Sequence, residues 1–401
     1  MNYAKGPALP VSGFTATGIA AGIKKTGAPD LMLIASEFPA AVAGVFTTNV
    51  VRAAPVEWSR GVVKKGVCHA VVANSGGANA YTGAQGEADT REMAELVGAA
   101  LGIPADQVLV ASTGVIAQPL PMPKLRAGIP RAAKNLVETG WSAAAEAIRT
   151  TDLVAKLHSV TVPLKGRTLT LTGITKGSGM IHPNMATMLG FIATDAPVSA
   201  PNLQTALSGA VERTFNRITV DGDTSTNDCV LALANGRAGG PPLAPGSAGW
   251  EDFATALETL CDELARSIVA DGEGATKLVT VTVRGLASEA DALTVARQIA
   301  TSNLVKTALF GADPNWGRIV AAAGQAGVLF LPERASLSFN HAELVRDGVW
   351  LGSAAEKACG GVMAGREYTI ALSLGDGPGE ASVLTCDFSY DYVRINADYR
   401  S

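Results

Sequence analysis

Residues 176–189, KGSGMIHPNMATML, combine residue types that could cut their own chain. Glycine, proline, asparagine and serine interrupt a methionine-rich apolar stretch, which favours a tight, irregular backbone before a buried strand at 187–194. A small residue followed by a hydroxyl residue, here Ala186 and Thr187, is what an N→O acyl shift requires. Water would then release an amino-terminal threonine whose α-amine, with a reference pKa of about 8, can take its own Oγ proton. Local composition also fits a glycine-rich turn into a core strand, with Thr187 as an ordinary β-branched residue.

The common nucleotide, hydrolase and metal signatures are missing from the sequence. There is no GxxxxGK[ST] phosphate loop and no GxSxG nucleophile elbow. The run 221–228, DGDTSTND, fails as a calcium loop because Thr226 stands where glycine is needed and Ala232 where glutamate is needed. The four histidines show no HExxH or other paired spacing, which argues against a zinc hydrolase. Catalysis would therefore use hydroxyls, amines and backbone donors.

Composition indicates a chain that builds a large core. With 401 residues, 47% hydrophobic and 17% charged, it has the length for two or three packed units. A net charge of −4 argues against a nucleic-acid partner, and no apolar run reaches the roughly 18 residues that span a bilayer. The first residues do not resemble a secretory signal, and five scattered cysteines are typical of reduced thiols. We therefore expect a cytoplasmic protein without a membrane partner.

Hydrophobic periodicity predicts an α/β protein with layered sheets flanked by helices in two units. Short β-type runs predict strands at 14–23, 31–36, 69–73, 107–111, 168–174, 278–283 and 335–339. Apolar residues at three- and four-residue steps predict helices at 85–101, 252–269 and 288–300. Alternating aromatic residues at 388–392 predict a docked strand near the end of the chain. The proline- and glycine-containing stretches 118–130 and 239–249 predict loops or linkers.

Eight segments together resemble the ornithine acetyltransferase (glutamate N-acetyltransferase) family, in the same order along nearly the whole chain. They are NSGGANA (74–80), STGVI (112–116), RTTD (149–152), KGSGMIHPNMATML (176–189), TVDGDTSTND (219–228), EGATK (273–277), GADPNWGRI (311–319) and NADYRS (396–401). Departures are few: Gly77 and Tyr81 stand where the family more often has Asn and Cys, and Ala117 where Gly is usual. These departures concern loop packing more than named chemistry.

The resemblance implies self-cleavage between Ala186 and Thr187 into an α chain, 1–186, and a β chain, 187–401. Thr187 would be the nucleophile and, through its freed amine, the general base. Thr113 and Gly114, after the strand predicted at 107–111, would form the oxyanion hole. The substrate contacts that the resemblance implies are Thr150, Lys176, Thr187, Glu273, Asn396 and Ser401. The implied architecture is the interwoven one of self-processing acyltransferases and aminopeptidases with an amino-terminal nucleophile.

The implied reaction is ping-pong transfer of the acetyl group from N2-acetylornithine to glutamate in arginine biosynthesis. It requires no metal, nucleotide or prosthetic group, and two α and two β chains would form a heterotetramer. We infer that Lys176 meets the substrate carboxylate and Glu273 the ornithine δ-ammonium. The residues leave open whether acetyl-CoA is a second donor. Two alternatives also stay open: an aminopeptidase or amidase in which water completes the reaction, and an uncleaved protein that binds amino acids.

Overall fold

A computed structural model describes residues 2–4, 8–182 and 188–398. The predicted cleavage pair Ala186 and Thr187, and the predicted contact Ser401, lie outside the described residues. In the described ranges the strands are β1 Asn2–Ala4, β2 Phe14–Ile19, β3 Leu31–Phe46, β4 Val67–Gly77, β5 Val108–Val115, β6 Lys156–Leu164, β7 Arg167–Lys176, β8 Leu189–Thr194, β9 Cys229–Ala234, β10 Leu278–Gly285, β11 Ser336–Phe339, β12 Ala342–Arg346, β13 Val349–Trp350, β14 Glu367–Ser373 and β15 Gly377–Cys386.

The α-helices of the same ranges lie between these strands and after the last one. They are α1 Ala54–Lys65, α2 Gly83–Leu101, α3 Met122–Lys134, α4 Trp141–Ile148, α5 Ala200–Arg213, α6 Trp250–Ala270, α7 Glu289–Ala300, α8 Asn303–Phe310, α9 Trp316–Gly324, α10 Ser353–Met363 and α11 Tyr390–Ala397. None of them is long and apolar enough to cross a membrane.

The first compact unit comprises the described residues up to Asn216 together with Asp223–Ile268. Its nine-stranded sheet has the order β1-β6-β7-β8-β9-β3-β4-β5, with β2 paired to β3. The pairs β4–β5 and β8–β9 are parallel, and the other pairs are antiparallel. Leu31 and Leu33 pack in one core with α2 and α3, while Met32 and Ile34 pack in another with α4. Burial of both faces explains the continuous apolar run of β3.

The second compact unit comprises Arg217–Gly222 and the described residues from Val269 onward. Its six-stranded sheet has the order β13-β12-β11-β14-β10-β15, in which only β10 and β14 run parallel. Alternate β10 side chains, Val279, Val281 and Val283, lie in a core that also contains buried residues of α7, α9 and α10. The layered α/β class expected from periodicity is confirmed.

The predicted strands overlap β2, β3, β4, β5, β7, β10 and β11, and the predicted helices overlap α2, α6 and α7. Residues 239–249 form a loop, as predicted, in which the Leu243 amide donates to the Pro197 carbonyl at 2.8 Å. The compact units do not divide at the predicted cleavage point, because the first sheet contains β7 from before that point and β8 and β9 from after it. The division into two cleaved chains stays a prediction.

Two predicted elements are wrong. Residues 118–130 are not a loop throughout, because α3 begins at Met122. Leu125 and Ile129, four residues apart, are buried on one helix face, and a proline in the first turn displaces no helical hydrogen bond. The strand predicted at 388–392 is instead the start of α11, where the Ser389 side chain accepts a hydrogen bond from the Asp391 amide and caps the helix. Tyr390 is 84% exposed, so the aromatic alternation did not mark a buried strand face.

Candidate active site

Thr113 and Gly114 lie inside β5, near its end, rather than after a strand as predicted. Thr113 is buried and pairs with Ser75 of β4, while Gly114 pairs with Gly76. The φ angle of Gly114 is 133°, and a Cβ there would stand 2.4 Å from the carbonyl carbon of Gly76. Only glycine fits this close approach of two backbones. The end of β5 therefore has a fixed geometry in which a backbone N–H and a hydroxyl come from adjacent residues.

Side-chain amides fix the backbone on both sides of this pair. The Ser112 hydroxyl donates to Asn74 Oδ1 at 2.7 Å, and Asn74 Nδ2 donates to the Gly77 carbonyl at 2.9 Å. Asn227 Nδ2 donates to the carbonyls of Ala78 and Ser112 at 2.6 and 2.9 Å. The run 221–228, which the sequence excluded as a calcium loop, thus reaches the residue that precedes Thr113.

Thr150 and Lys176 converge on one buried carboxylate, that of Asp152. Asp152 Oδ2 accepts from the Thr150 amide at 3.0 Å. Asp152 Oδ1 accepts from Lys156 Nζ at 2.6 Å and from the Gly177 amide, next to Lys176, at 2.7 Å. Burial opposes ionisation of Asp152, but the ammonium groups of Lys176 and Lys156 hold its pKa well below the usual range. This carboxylate therefore stays charged and orders two predicted substrate contacts.

Lys24, which the motifs did not single out, joins this group to the end of β5. Its Nζ donates to the carbonyls of Pro29 and Arg149 at 2.8 and 2.7 Å. Its Cγ lies 3.7 Å from the point where a Cβ on Gly76 would stand. Burial lowers the pKa of Lys24, and the positive charge of Lys176 acts in the same direction. Lys24 thus connects the backbone beside Gly114 with the segment that carries Thr150.

The chain that follows the predicted nucleophile is also anchored in this unit. Met188, the residue after Thr187 in sequence, donates its amide to Asp228 Oδ1 at 2.8 Å. The Cys229 amide in turn donates to the Met188 carbonyl at 3.1 Å. Leu189 then pairs with Lys176 across β7 and β8. The sequence marked Asp228 only as a member of the run 221–228, because a contact across 40 residues has no local signal.

In the second unit the structure brings Glu273 and Asn396 together. Asn396 Nδ2, in α11, donates to Glu273 Oε2 at 2.8 Å. Glu273 is 7% exposed. The next residue, Gly274, has a φ of 69°, and a Cβ there would stand 2.6 Å from the Tyr392 nitrogen. The Ser389 hydroxyl also donates to the Gly274 carbonyl at 2.6 Å, so the start of α11 fixes the loop that carries Glu273.

Two buried charged residues that the sequence analysis did not identify, Asp387 and Lys306, support the loop that carries Glu273 and the start of α11. Asp387 accepts from the amides of Thr276 and Lys277 at 2.8 Å each. Lys306 Nζ donates to Thr385 Oγ1 at 3.0 Å and to the Cys386 carbonyl, and it lies 4.6 Å from the centroid of the Phe388 ring. These groups position the segment that leads into α11.

Nothing in the part of the chain that the structure describes resembles a metal centre, since it contains no group of three or more His, Cys, Asp or Glu placed to hold an ion. All five cysteines are buried and unbridged. At these positions the first unit supplies hydroxyl, ammonium and backbone N–H donors and a charged carboxylate. That set can bind a charged small molecule, stabilise an oxyanion and move protons.

Comparisons with known proteins extend over nearly the whole chain. The sequence profile described as the ArgJ family matches residues 15–401. The arginine biosynthesis bifunctional protein ArgJ of Symbiobacterium thermophilum is 50% identical over 403 residues, covering 100% of both chains. The protein of the same name from Synechococcus sp. is 51% identical, covering 96% of this chain and 95% of its own. The crystal structure of arginine biosynthesis bifunctional protein ArgJ from Bacillus halodurans is 44% identical, with a TM-score of 0.50, and covers 52% of this chain and 98% of its own.

Proposed function

The chain belongs to the ArgJ family, and from that premise we propose that it is an acetyltransferase of arginine biosynthesis. It would move the acetyl group of N2-acetylornithine to glutamate. The observation that carries the proposal is 50% identity to a bifunctional ArgJ protein along the full length of both chains. Thr113, Gly114, Thr150 and Lys176 all belong to the first unit, which is compatible with the proposal because acyl transfer needs an oxyanion site and a site for a charged substrate.

We propose that the chain first cuts itself between Ala186 and Thr187. In support, 98% of the solved Bacillus halodurans chain matches only 52% of this one, so that solved chain is about half as long. Cleavage need not separate the products 1–186 and 187–401. Six residue pairs join β7 to β8, and six more join β3 to β9, so strands from both products share one sheet. A heterotetramer of two α and two β chains would be built from such pairs.

The proposed transfer has two halves. Thr187 Oγ attacks the acetyl carbonyl of N2-acetylornithine and gives its proton to the Thr187 amine, while the Thr113 hydroxyl and the Gly114 N–H stabilise the oxyanion. The C–N bond breaks, ornithine leaves with the proton, and an acetyl ester remains on Thr187. The amine of glutamate then attacks that ester, and N-acetylglutamate leaves as the Thr187 hydroxyl is restored.

Charge complementarity assigns the proposed substrate contacts. The Lys176 ammonium would bind the α-carboxylate, and the Glu273 carboxylate the δ-ammonium of the ornithine moiety. Asn396 would orient Glu273 through their 2.8 Å hydrogen bond. Thr150 and Ser401 complete the set, as the family resemblance implies.

The test is incubation of the purified protein with N2-acetylornithine and glutamate, first without and then with acetyl-CoA. We expect ornithine and N-acetylglutamate in equal amounts without acetyl-CoA. Formation of N-acetylglutamate from acetyl-CoA and glutamate alone would add the second activity that the word bifunctional in the relatives' names suggests. Release of free acetate in place of N-acetylglutamate would indicate an amidase and contradict the proposal.

A further inference from the structure

Asp228 has an unusual position for a buried aspartate. It immediately precedes β9, and none of its surface is exposed. Its Oδ1 accepts the Met188 amide at 2.8 Å, and the neighbouring Cys229 amide donates back to the Met188 carbonyl at 3.1 Å. These two hydrogen bonds fix the carboxyl group against the residue that follows Thr187.

The second carboxyl oxygen of Asp228, Oδ2, is buried and has no hydrogen-bond partner within the described residues. A buried polar atom without a partner costs about 1–3 kcal/mol of stability, so its retention calls for a function. Burial raises the pKa of Asp228 well above its usual value, although the Met188 amide, the Lys176 ammonium and hydrogen bonds from the Ser225 hydroxyl and amide oppose this shift. A carboxyl group of raised pKa is a stronger base when ionised, and once protonated it can return the proton to a more basic amine nitrogen.

We propose that Asp228 relays the proton that must move from Thr187 Oγ to the Thr187 nitrogen during self-cleavage. The inference rests on the cleavage step of the proposed function. Chain connectivity supports it, because Met188 directly follows Thr187 in the sequence. The Asp228 carboxyl group, hydrogen-bonded to the Met188 amide, is a buried acid–base group held at the residue next to Thr187.

The proton balance of the step is simple. As Thr187 Oγ bonds to the carbonyl carbon of Ala186, ionised Asp228 takes the Oγ proton through Oδ2. As the bond between that carbon and the Thr187 nitrogen breaks, Asp228 returns the proton to the nitrogen. The products are an ester and a primary amine, and Asp228 regains its starting form. Water then hydrolyses the ester, leaving the Ala186 carboxylate and the Thr187 hydroxyl.

The experiment is cell-free synthesis of the full chain, followed by intact-mass measurement over time, for the natural sequence, Asp228→Asn and Asp195→Asn. Asparagine keeps the size of aspartate and the oxygen that accepts the Met188 amide, but it cannot relay a proton. Asp195 is the matched control: it is 5% exposed, its Oδ1 accepts the Thr170 amide at 2.8 Å, burial raises its pKa, and it follows the opposite end of β8.

We expect Asp228→Asn to cleave at least about 100-fold more slowly than the natural chain, and Asp195→Asn to cleave at the natural rate. Hydroxylamine, which cuts esters, should not release fragments from Asp228→Asn because no ester forms. Cleavage of Asp228→Asn at the natural rate overturns the relay. Failure of this variant to fold also overturns it, because a group retained for proton transfer should tolerate an isosteric amide. If the natural chain itself stays uncut, the proposed cleavage fails, and the relay fails with it.

Discussion

The two groups of predicted site residues are built differently. In the first unit Lys176 and Asp152 are almost fully buried, and Asp152 has four stabilising partners, two of them ammonium groups. In the second unit Glu273 and Asn396 share one hydrogen bond, between a loop and the last described helix. A buried charge with many partners cannot be removed without leaving others unpaired. We therefore expect stability and turnover to depend on the first group and substrate affinity on the second.

The largest expected effect on stability is that of Asp152→Asn. It leaves the Lys156 ammonium, only 1% exposed, without its 2.6 Å carboxylate partner. Removing one member of a buried pair typically costs about 3–5 kcal/mol. Urea unfolding of the uncut Thr187→Ala chain, with and without Asp152→Asn, measures the difference in free energy of unfolding. If Asp152→Asn lowers the free energy of unfolding no more than Glu273→Gln does, stability does not depend mainly on the first group.

The same variant should change how stability depends on pH. The pKa of Asp152 is lower in the folded chain than in the unfolded chain, where it is about 3.9. Its contribution is therefore fully present above that value and is lost as the pH falls toward the folded pKa. Below about pH 4 the free energy of unfolding should therefore fall less steeply with decreasing pH in Asp152→Asn than in the unsubstituted chain. Asp106→Asn is the control, because it removes an exposed pair of similar length, 2.7 Å, and should change stability little.

Thr113→Val should act on turnover. Valine keeps the shape of threonine and removes the hydroxyl, so the oxyanion would lose one donor. Loss of one such donor typically lowers kcat by about 100- to 1,000-fold. Steady-state kinetics with N2-acetylornithine should show this fall with a much smaller change in KM. Thr294→Val, on the exposed side of α7, should leave both constants unchanged, and an unchanged kcat in Thr113→Val would remove Thr113 from the site.

Glu273→Gln should have the smallest effect, confined to one substrate. Glutamine keeps an oxygen that can accept from Asn396 but loses the charge that would meet the δ-ammonium. We expect the KM for N2-acetylornithine to rise about 10-fold, the loss of one charged hydrogen bond, while the KM for glutamate changes less. Glu380→Gln, exposed in β15, is the control. Equal rises in KM for both substrates would show that Glu273 does not bind the δ-ammonium group.

The sequence predicted the elements whose signal is local. Buried β3 and β4 follow from their apolar runs. The motif STGVI drew attention to Thr113 and Gly114, and the structure shows that the backbone at Gly114 requires glycine. The strand predicted at 388–392 failed because the side chain of Ser389 caps a helix there, and capping competes with an alternating pattern of aromatic residues. Pro123 and Pro130 made the segment of α3 resemble a loop, although Pro123 lies in the first turn, where a helix tolerates proline.

The contacts that build the site could not be predicted because they join distant parts of the chain. Asn227 contacts the Ser112 carbonyl across 115 residues, and Lys24 contacts the Arg149 carbonyl across 125. Asp228 meets Met188 only because β8 and β9 pair in parallel. Strand order determines these meetings, and composition and periodicity do not specify strand order. The sequence therefore identified the motif residues, and the fold identified the buried groups that surround them.

The central claim is that Thr187 becomes a new amino terminus and carries the acetyl group. Intact-mass measurement of the purified protein, before and after brief exposure to N2-acetylornithine, tests it most directly. The account predicts two fragments, 1–186 and 187–401, with one acetyl group added to the second on exposure, and a single unmodified chain for Thr187→Ala. A single uncut chain for the natural sequence, or an acetyl group on the first fragment, would contradict it.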